Sequence, residues 1–159
     1  MSRVLSAWRL TKARYAGTAL SGIGSSLMAG RWHLRGRPVV YSASSASLAL
    51  LETLVHAERA DLLRAEYVAI PLSIPYDAVE VLDRATLPAD WQAWPQPAST
   101  RILGTRWFDS RRTLALIVPS VVVPHETNVL LNPQHPEFPR IEIGAPEPFP
   151  VDARFARGT

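Results

Sequence analysis

The amino-acid sequence predicts a single α+β domain in which strands and helices are mixed. Its 159 residues suffice for one domain with a sizeable core and are too few for two ordinary ones. Apolar residues make up 47% of the chain and charged residues 19%, a balance typical of globular rather than disordered proteins. The predicted strands and helices do not alternate regularly, which argues against a doubly wound parallel sheet.

The first predicted elements are two strands separated by a glycine- and serine-rich segment. The stretch RVLSAWRL alternates loosely and predicts an opening strand, whereas ALSGIGSSLMAGRW predicts a short helix that leads into a loop. The β-branched stretch RPVVYSA, residues 37–43, then predicts a short strand that ends in small residues.

The clearest predicted helix follows at once, in SASSASLALLETLVHAER. Serines offer an N-cap, and apolar residues recur at helical spacing at positions 48, 51, 54 and 55, which predicts that this arc of the helix is buried. The alternating stretch EYVAIPLSI predicts the next strand.

The second half of the chain is less regular. Residues 75–97 are rich in Pro, Asp and Trp and predict an irregular excursion, either a lid or simple packing. ASTRILGTRWFDSRR predicts a helix weakened by Gly104, and TLALIVPSVVVP predicts one strand, a bend at Pro119-Ser120 and a second strand. The tail from residue 125 predicts mostly loop with one or two short strands.

The composition excludes several classes of protein. There are no cysteines, which excludes a disulfide framework and a thiolate zinc site and fits a cytoplasmic location. No signal peptide or membrane span is indicated. Of 17 basic residues only Lys12 is a lysine, and the arginines are dispersed, so an anionic ligand or acidic partner is indicated only weakly and direct nucleic-acid binding is not expected.

Arg31 and Tyr41 flank the second predicted strand and are the first candidate site residues. Arg31 follows a glycine, where the backbone can approach a ligand closely, and its planar fork suits a pyrophosphate. The alternative is a surface arginine stacked on Trp32. Tyr41 can stack on a flat heterocycle or donate a hydrogen bond, and the alternative is a half-buried core tyrosine.

Glu52 is the acidic residue of the predicted helix. It lies about 40° outside the predicted buried arc, because residues four apart are rotated by that angle, and His56 follows on the same border. A carboxylate there can point into a cleft and stabilise developing positive charge. The alternative is a solvated Glu52 paired with His56 or Arg59.

Ser120 and a polar cluster near the C-terminus complete the candidates. The Ser120 hydroxyl, at a predicted bend, can orient a ligand or a carboxylate, or cap a turn; no nucleophile elbow surrounds it. SGIGS fits neither a Walker loop nor a dinucleotide fingerprint. His125, Asn128, Asn132 and His135 match no standard metal site, so we expect loop-stabilising hydrogen bonds from them and no metal.

Several motifs, taken in the order in which they occur along the chain, give the sequence a resemblance to the RES domain, a family named for its Arg, Glu and Ser. They are GRW, YSA, SLALLETLVH, STRILGTRWF and VPS, with LLNPQHPEF after VPS the most specific. The resemblance covers about residues 7–155 of what is then one RES domain over residues 1–159. It implies a fold similar to ADP-ribosyltransferases of the diphtheria-toxin type, with mixed β-sheets and flanking helices, and the toxin role of a bacterial type II toxin–antitoxin module.

The resemblance also implies that NAD is the substrate and assigns site residues. The family positions fall on Arg31 as phosphate anchor, Tyr41 as nicotinamide stacking face, Glu52 as stabiliser of the ribosyl cation, and Ser120 as orienter of Glu52 or the ribose. Arg9 and Asn128 match polar positions of the family less specifically. Family members often read GRWN, whereas this chain has His33; His33 and His56 are expected in the ligand-binding cleft, where they can serve an acceptor.

Several alternatives remain at this stage. ADP-ribose is expected to pass to a target protein; the alternative is transfer to water or phosphate, which would deplete NAD. A ribonuclease toxin using His33, His56 or His125, or a non-enzymatic binding module with a basic face, would be a different class of protein. The resemblance further implies an antitoxin partner with a helix-turn-helix DNA-binding domain, and homodimerisation is compatible with it.

Overall fold

A mixed eight-stranded sheet organises the chain. The structure, a computed structural model, describes residues 2–157. In it the strand order is β4-β5-β6-β2-β1-β3-β7, and β8 also pairs with β3. The strands are β1 (Val4–Lys12), β2 (Val40–Ala43), β3 (Tyr67–Pro75), β4 (Val79–Val81), β5 (Ala115–Pro119), β6 (Thr127–Leu131), β7 (Glu142–Ile143) and β8 (Glu147–Pro148).

Four α-helices accompany the sheet within residues 2–157. They are α1 (Ile23–Leu27), α2 (Ala46–His56), α3 (Arg59–Arg64) and α4 (Ala98–Ser110), and short 3-10 helices lie at 13–18, 76–78, 84–86, 138–140 and 153–156. The predicted serine cap is confirmed, because the Leu48 amide donates to Ser45 Oγ at the start of α2. None of the helices in residues 2–157 is long and apolar enough to cross a bilayer.

All strand pairs are antiparallel except β4 with β5. The parallel pair requires a crossover, and α4 lies in the segment that supplies it. The α+β class predicted from the sequence is therefore confirmed, and the mixed β-sheets implied by the resemblance are one mixed sheet in the described residues.

Two predicted elements differ in the structure. The second strand predicted after Pro119 does not form, because Ser120 Oγ accepts the backbone N–H groups of Val122 and Val123 and closes a turn there. Residues 75–97, predicted as an irregular excursion, contain β4, which pairs in parallel with β5. The tail is mostly loop with short strands, as predicted, and its β6 is a central strand between β5 and β2 whose last three residues are fully buried.

The sheet is packed on its two faces by different groups of apolar side chains. Leu116, Val118 and Leu130 pack against Trp107 and Phe108 of α4, together with Trp32. A second cluster joins α2 and α3 to β1 and β3, and a third lies among β1, β3, β5 and β6. The helices are thus held on the sheet chiefly by apolar burial.

The buried arc predicted for α2 is wrong in part, because Leu48 and Leu54 pack in the core but Leu51 and Val55 do not. Leu48 and Ala49 are buried, but Leu51 is 36% exposed and Val55 57% exposed. The helix is rotated so that Glu52 lies on the side facing a cleft, together with Ala49, Thr53 and His56. An apolar residue can border an open cleft as readily as a core, so hydrophobic spacing alone could not set the rotation.

The cleft opens where β1 and β2 diverge. Within the described residues their ladder consists of one pair, Trp8 with Ala43, whereas β1 pairs with β3 along its full length and β2 pairs with β6. Arg9 bridges this divergence, its Nη1 donating to Tyr41 O at 3.3 Å and its Nε to Ala19 O at 3.2 Å. The two halves of the sheet therefore separate at this point, and side chains from both halves are accessible there.

Candidate active site

The cleft has a volume of about 990 Å³, within the range typical of small-molecule and cofactor sites. Its walls come from β1, the 28–32 segment, β2, α2 and the 92–96 segment. Of the residues predicted from the sequence, those that line it are Arg9, Arg31, Tyr41, Glu52, His56 and Asn128. Ser120 and His33 lie behind this surface.

Glu52 of α2 and Ser120, which follows β5, are in direct polar contact. Ser120 Oγ donates a hydrogen bond of 2.8 Å to Glu52 Oε1, and Ser120 itself is fully buried. The predicted alternative of a solvated Glu52 paired with a neighbouring cation does not occur: no ion pair within residues 2–157 includes it. Ser120 thus fixes one oxygen of the Glu52 carboxylate. The same carboxylate faces the cleft and can still bind a ligand.

Ser120 performs both roles that the sequence left open. It caps a turn by accepting two backbone N–H groups, and it orients a carboxylate by donating its own proton. Since the side chain is enclosed, it reaches the cleft only through Glu52. Direct contact between Ser120 and a sugar, the other role implied by the resemblance, is not provided by this geometry.

Arg31 lies in the cleft wall with part of its guanidinium already engaged. Its Nη1 donates to the carbonyls of Trp91 and Ala93 at 2.8 and 3.1 Å, which ties the 91–96 segment to the cleft. The predicted alternative, stacking on Trp32, is wrong, because Trp32 is buried in the cluster beneath α4. Partial burial lowers the pKa of Arg31 and the charge of Glu52 raises it, so the two oppositely charged groups act on each other across the cleft.

Tyr41 is half-buried and its hydroxyl is hydrogen-bonded within the protein. It lies 2.6 Å from His33 Nδ1, and the Trp32 amide donates to it at 3.2 Å. Burial raises the pKa of Tyr41, so the phenol stays protonated. The ring, rather than the hydroxyl, is therefore the part of Tyr41 that can meet a ligand.

His33 requires a correction. The sequence-based expectation placed it in direct contact with ligand or acceptor, but the side chain is 2% exposed and lies behind Tyr41. Its Nε2 lies 2.9 Å from Ser25 O and 2.8 Å from Met28 O. Burial lowers the pKa of His33, which favours the neutral ring.

The remaining predicted residues lie along the cleft. Asn128 Nδ2 donates to Ser42 O at 3.5 Å, a long contact that keeps the amide beside β2. His56 is exposed at the end of α2. Arg9 lines the cleft while holding β1 to Tyr41, and burial lowers its pKa.

Of the polar cluster near the C-terminus, Asn132 and His135 stabilise loops, as the sequence predicted, whereas Asn128 lies on β6 and His125 is exposed. Asn132 Nδ2 donates to Phe108 O and its Oδ1 accepts the Gln134 amide, while His135 Nδ1 accepts the Glu137 amide. Within the described part of the chain, no three His, Asp or Glu side chains are grouped as a metal site.

Sequence reasoning left residues 75–97 open between a lid and simple packing, named no site residue in them, and missed one supporting arginine. Gln92, Trp94 and Gln96 line the cleft from the irregular excursion. Arg101 of α4 donates from Nε to Gly30 O at 3.0 Å, which fixes the residue before Arg31. The alternation of Gln and Trp in WQAWPQP was the available signal for the wall; nothing in the spacing pointed to Arg101.

The arrangement places opposite charges and an aromatic face along one cleft. The carboxylate of Glu52 can stabilise positive charge, the guanidinium of Arg31 can hold an anionic group, and the ring of Tyr41 can stack on a planar one. A ligand that carries all three features in a chain would fit these side chains.

Comparisons with known proteins identify the family. The protein-family model described as "RES domain" matches residues 6–152 of this chain. A relative from Photorhabdus laumondii named "Toxin Res" is 44% identical over 131 residues, 82% of this chain and 83% of that protein. A relative from Sphingobium named "Prs ADP-ribosylating toxin" is 39% identical over 155 residues, 94% of this chain and 96% of that protein.

The fold is likewise shared with a solved structure. A chain of the crystal structure of the M. tuberculosis MbcT-MbcA toxin-antitoxin complex superposes with a TM-score of 0.76, covering 94% of this chain and 86% of that one, at 19% identity. The match to the family model spans nearly the whole chain, and Arg31, Glu52 and Ser120 lie within the matched residues. This protein belongs to the RES domain family.

Proposed function

We propose that the protein is a toxin that cleaves the nicotinamide–ribose bond of NAD and transfers ADP-ribose to a target protein. The observation that carries the proposal is the Glu52 carboxylate, held by the buried Ser120 hydroxyl on the wall of a cleft that also presents Arg31 and Tyr41. NAD has the three features that this cleft can bind: a cationic planar ring, a ribose and an anionic pyrophosphate.

The chemistry requires little acid catalysis. Nicotinamide leaves as a neutral base, taking the electrons of the C1′–N bond, and a cation resembling that of glycoside hydrolysis develops on the ribose. Glu52 is then the residue that stabilises this cation. An acceptor heteroatom on the target forms the new bond to C1′ and loses its proton to Glu52 or to water.

The other cleft residues have binding roles in this proposal. Arg31 holds the pyrophosphate with the part of its guanidinium that the Trp91 and Ala93 carbonyls leave free. Tyr41 stacks on the nicotinamide ring. Arg9 and Asn128 border the site where β1, β2 and β6 meet, and exposed His56 is placed to meet an incoming acceptor.

Transfer to protein is proposed in preference to NAD depletion. The relative named an ADP-ribosylating toxin supports it, since it is 39% identical over nearly the whole chain. An antitoxin partner is also proposed, on the support of the structural relative solved as a toxin-antitoxin complex.

The test uses purified wild type, Glu52→Gln and Glu80→Gln with labelled NAD and a bacterial lysate. Glu80 is a matched control, because it is also a half-buried glutamate but pairs with Arg112, and it does not line the cleft. Free nicotinamide, free ADP-ribose and labelled protein are measured together.

We expect nicotinamide release and a discrete labelled band with wild type and Glu80→Gln, and neither with Glu52→Gln. Nicotinamide and free ADP-ribose without labelled protein would replace transfer by NAD hydrolysis. Retention of full activity by Glu52→Gln would refute the role of the carboxylate, and no nicotinamide from a folded wild type would refute NAD cleavage altogether.

A further inference from the structure

We infer that His33 is a positioning residue that sets the orientation of the Tyr41 ring in the cleft, and that Tyr41 acts through this ring and not through its hydroxyl. The inference rests on the proposed NAD-cleaving function and assigns to His33 an indirect role in nicotinamide binding. The evidence is the complete hydrogen-bonding arrangement around these two side chains.

The hydrogen-bond partners fix the tautomer of His33. Nε2 lies within 2.9 Å of two backbone carbonyls, those of Ser25 and Met28, and carbonyls only accept hydrogen bonds. Nε2 therefore carries the proton. In the neutral ring Nδ1 is then an acceptor, and the Tyr41 hydroxyl, at 2.6 Å, donates to it.

The Tyr41 hydroxyl has consequently used its only proton. It also accepts the Trp32 amide at 3.2 Å, so both directions of hydrogen bonding are occupied inside the protein. A hydroxyl in this state has no proton to give to a substrate. Tyr41 can contribute its aromatic face, whose orientation is fixed by the two bonds at the far end of the ring.

The backbone at Gly30 lies close against the His33–Tyr41 contact. A Cβ added there would come within 2.6 Å of His33 Cε1 and 3.0 Å of the Tyr41 hydroxyl, so the backbone is closed over the pair. Gly30 is held in place by Arg101 and precedes Arg31. His33 therefore links the C-terminal end of α1, through Ser25 and Met28, to the Tyr41 ring and to Gly30, the residue before Arg31.

Two substitutions test the hydrogen bonds of the two imidazole nitrogens separately. In His33→Asn the amide oxygen can replace Nδ1 as acceptor for Tyr41, while the tie to Ser25 and Met28 is lost. In His33→Gln the longer amide can still donate to those carbonyls, while the acceptor for Tyr41 is lost. Each variant is made in wild type and in Tyr41→Phe, which keeps the ring and removes the hydroxyl.

Steady-state nicotinamide release gives the decisive readout. We expect His33→Gln and Tyr41→Phe each to raise the KM for NAD about tenfold, because each removes the one buried hydrogen bond that orients the Tyr41 ring. His33→Asn should stay within about threefold of wild type, and kcat should change little in any of them. In the Tyr41→Phe background the difference between Asn and Gln should vanish, which a purely structural role of His33 would not produce.

The outcomes separate this inference from the proposed function. Equal effects of Asn and Gln, or a difference that persists in Tyr41→Phe, would overturn the role of His33 while leaving NAD cleavage intact. Imidazole ¹⁵N NMR of the inactive Glu52→Gln protein should show the Nε2–H tautomer, and the Nδ1–H tautomer would also overturn it. A folded wild type that releases no nicotinamide would instead refute the proposed function, and this role with it.

Discussion

At the scale of single residues, the candidate site consists of polar groups whose hydrogen-bonding capacity is largely used within the protein. Ser120 is the clearest case, since it donates to Glu52 and accepts from two amides. The carboxylate that we propose to stabilise the ribosyl cation is thereby preorganised before substrate arrives, and preorganisation is the main source of electrostatic catalysis.

Replacing Ser120 by Ala should therefore lower kcat more than it raises KM. We expect a loss of about tenfold to hundredfold in kcat, because Glu52 loses its fixed orientation. Ser110→Ala is the matched control: Ser110 Oγ also accepts an amide two residues ahead, that of Arg112, but Ser110 does not line the cleft. Unchanged kcat in a folded Ser120→Ala protein would show that Glu52 does not depend on this bond.

Arg31 connects ligand binding to the 91–96 segment. Arg31→Lys keeps the charge but replaces the planar fork by a single ammonium group, which cannot hold two carbonyls and a pyrophosphate together. We expect the KM for NAD to rise about tenfold and amide exchange in residues 91–96 to become faster. A raised KM with unchanged exchange would contradict the link between the two.

His33 gives the stability of the fold a pH dependence of known sign. Its pKa is lowered in the folded state by burial, so the unfolded chain binds this proton more readily. The contribution of neutral His33 to the free energy of unfolding is fully present above the ordinary histidine pKa of about 6.5. It is lost as the pH falls from there through the folded-state pKa of His33. Denaturant unfolding at a series of pH values should show a steeper acid loss in wild type than in His33→Gln, and parallel curves would contradict this.

At the scale of elements, α4 shows why a residue that weakens a helix is retained in it. A Cβ on Gly104 would lie 1.9 Å from the carbonyl oxygen of Trp32, so the glycine allows the helix to approach the segment that carries Arg31. The sequence identified the cost of Gly104 to the helix, but the contact that requires it lies in another part of the chain.

Gly104→Ala should therefore destabilise the protein despite its better helix propensity. Propensity favours Ala by about 1 kcal/mol, whereas the clash with backbone requires displacement that typically costs about 1–3 kcal/mol or more. Gly24→Ala in α1 is the control, since a Cβ there meets nothing within 4 Å. Calorimetric unfolding should show a lower Tm for Gly104→Ala and an unchanged or higher one for Gly24→Ala; equal shifts would contradict the argument.

The elements could be predicted where local pattern determines them. Alternation gave β1 and β3, and spacing with a serine cap gave α2. The rotation of α2 could not be predicted, because Val55 is apolar yet borders the cleft. Likewise the Ser120–Glu52 bond spans 68 positions, and the resemblance to a family, not residue spacing, brought these two together.

At the scale of the whole molecule, the cleft exists because two halves of one sheet share a single residue pair. β1 with β3 forms one wall region and β2 with β6 another, and α2 and the 92–96 segment complete the enclosure. A ligand in this cleft would contact segments far apart in sequence, so its binding should stabilise the whole fold rather than one element.

Binding of NAD should accordingly raise the thermal stability of the inactive Glu52→Gln protein, in which the substrate stays intact. At a concentration about 100 times Kd, linkage gives about 2.7 kcal/mol of stabilisation. For a chain of this size that corresponds to a rise in Tm of roughly 5–10 °C. Amide exchange should slow together in residues 8–12, 28–33, 41–43 and 92–96, which line or support the cleft, and remain unchanged in β4, which lies at the far edge of the sheet. Nicotinamide alone should protect chiefly the segment around Tyr41, because it lacks the pyrophosphate that Arg31 holds. Protection by NAD confined to one segment, or no rise in Tm at saturating NAD, would show that the cleft does not bind the dinucleotide across both halves of the sheet.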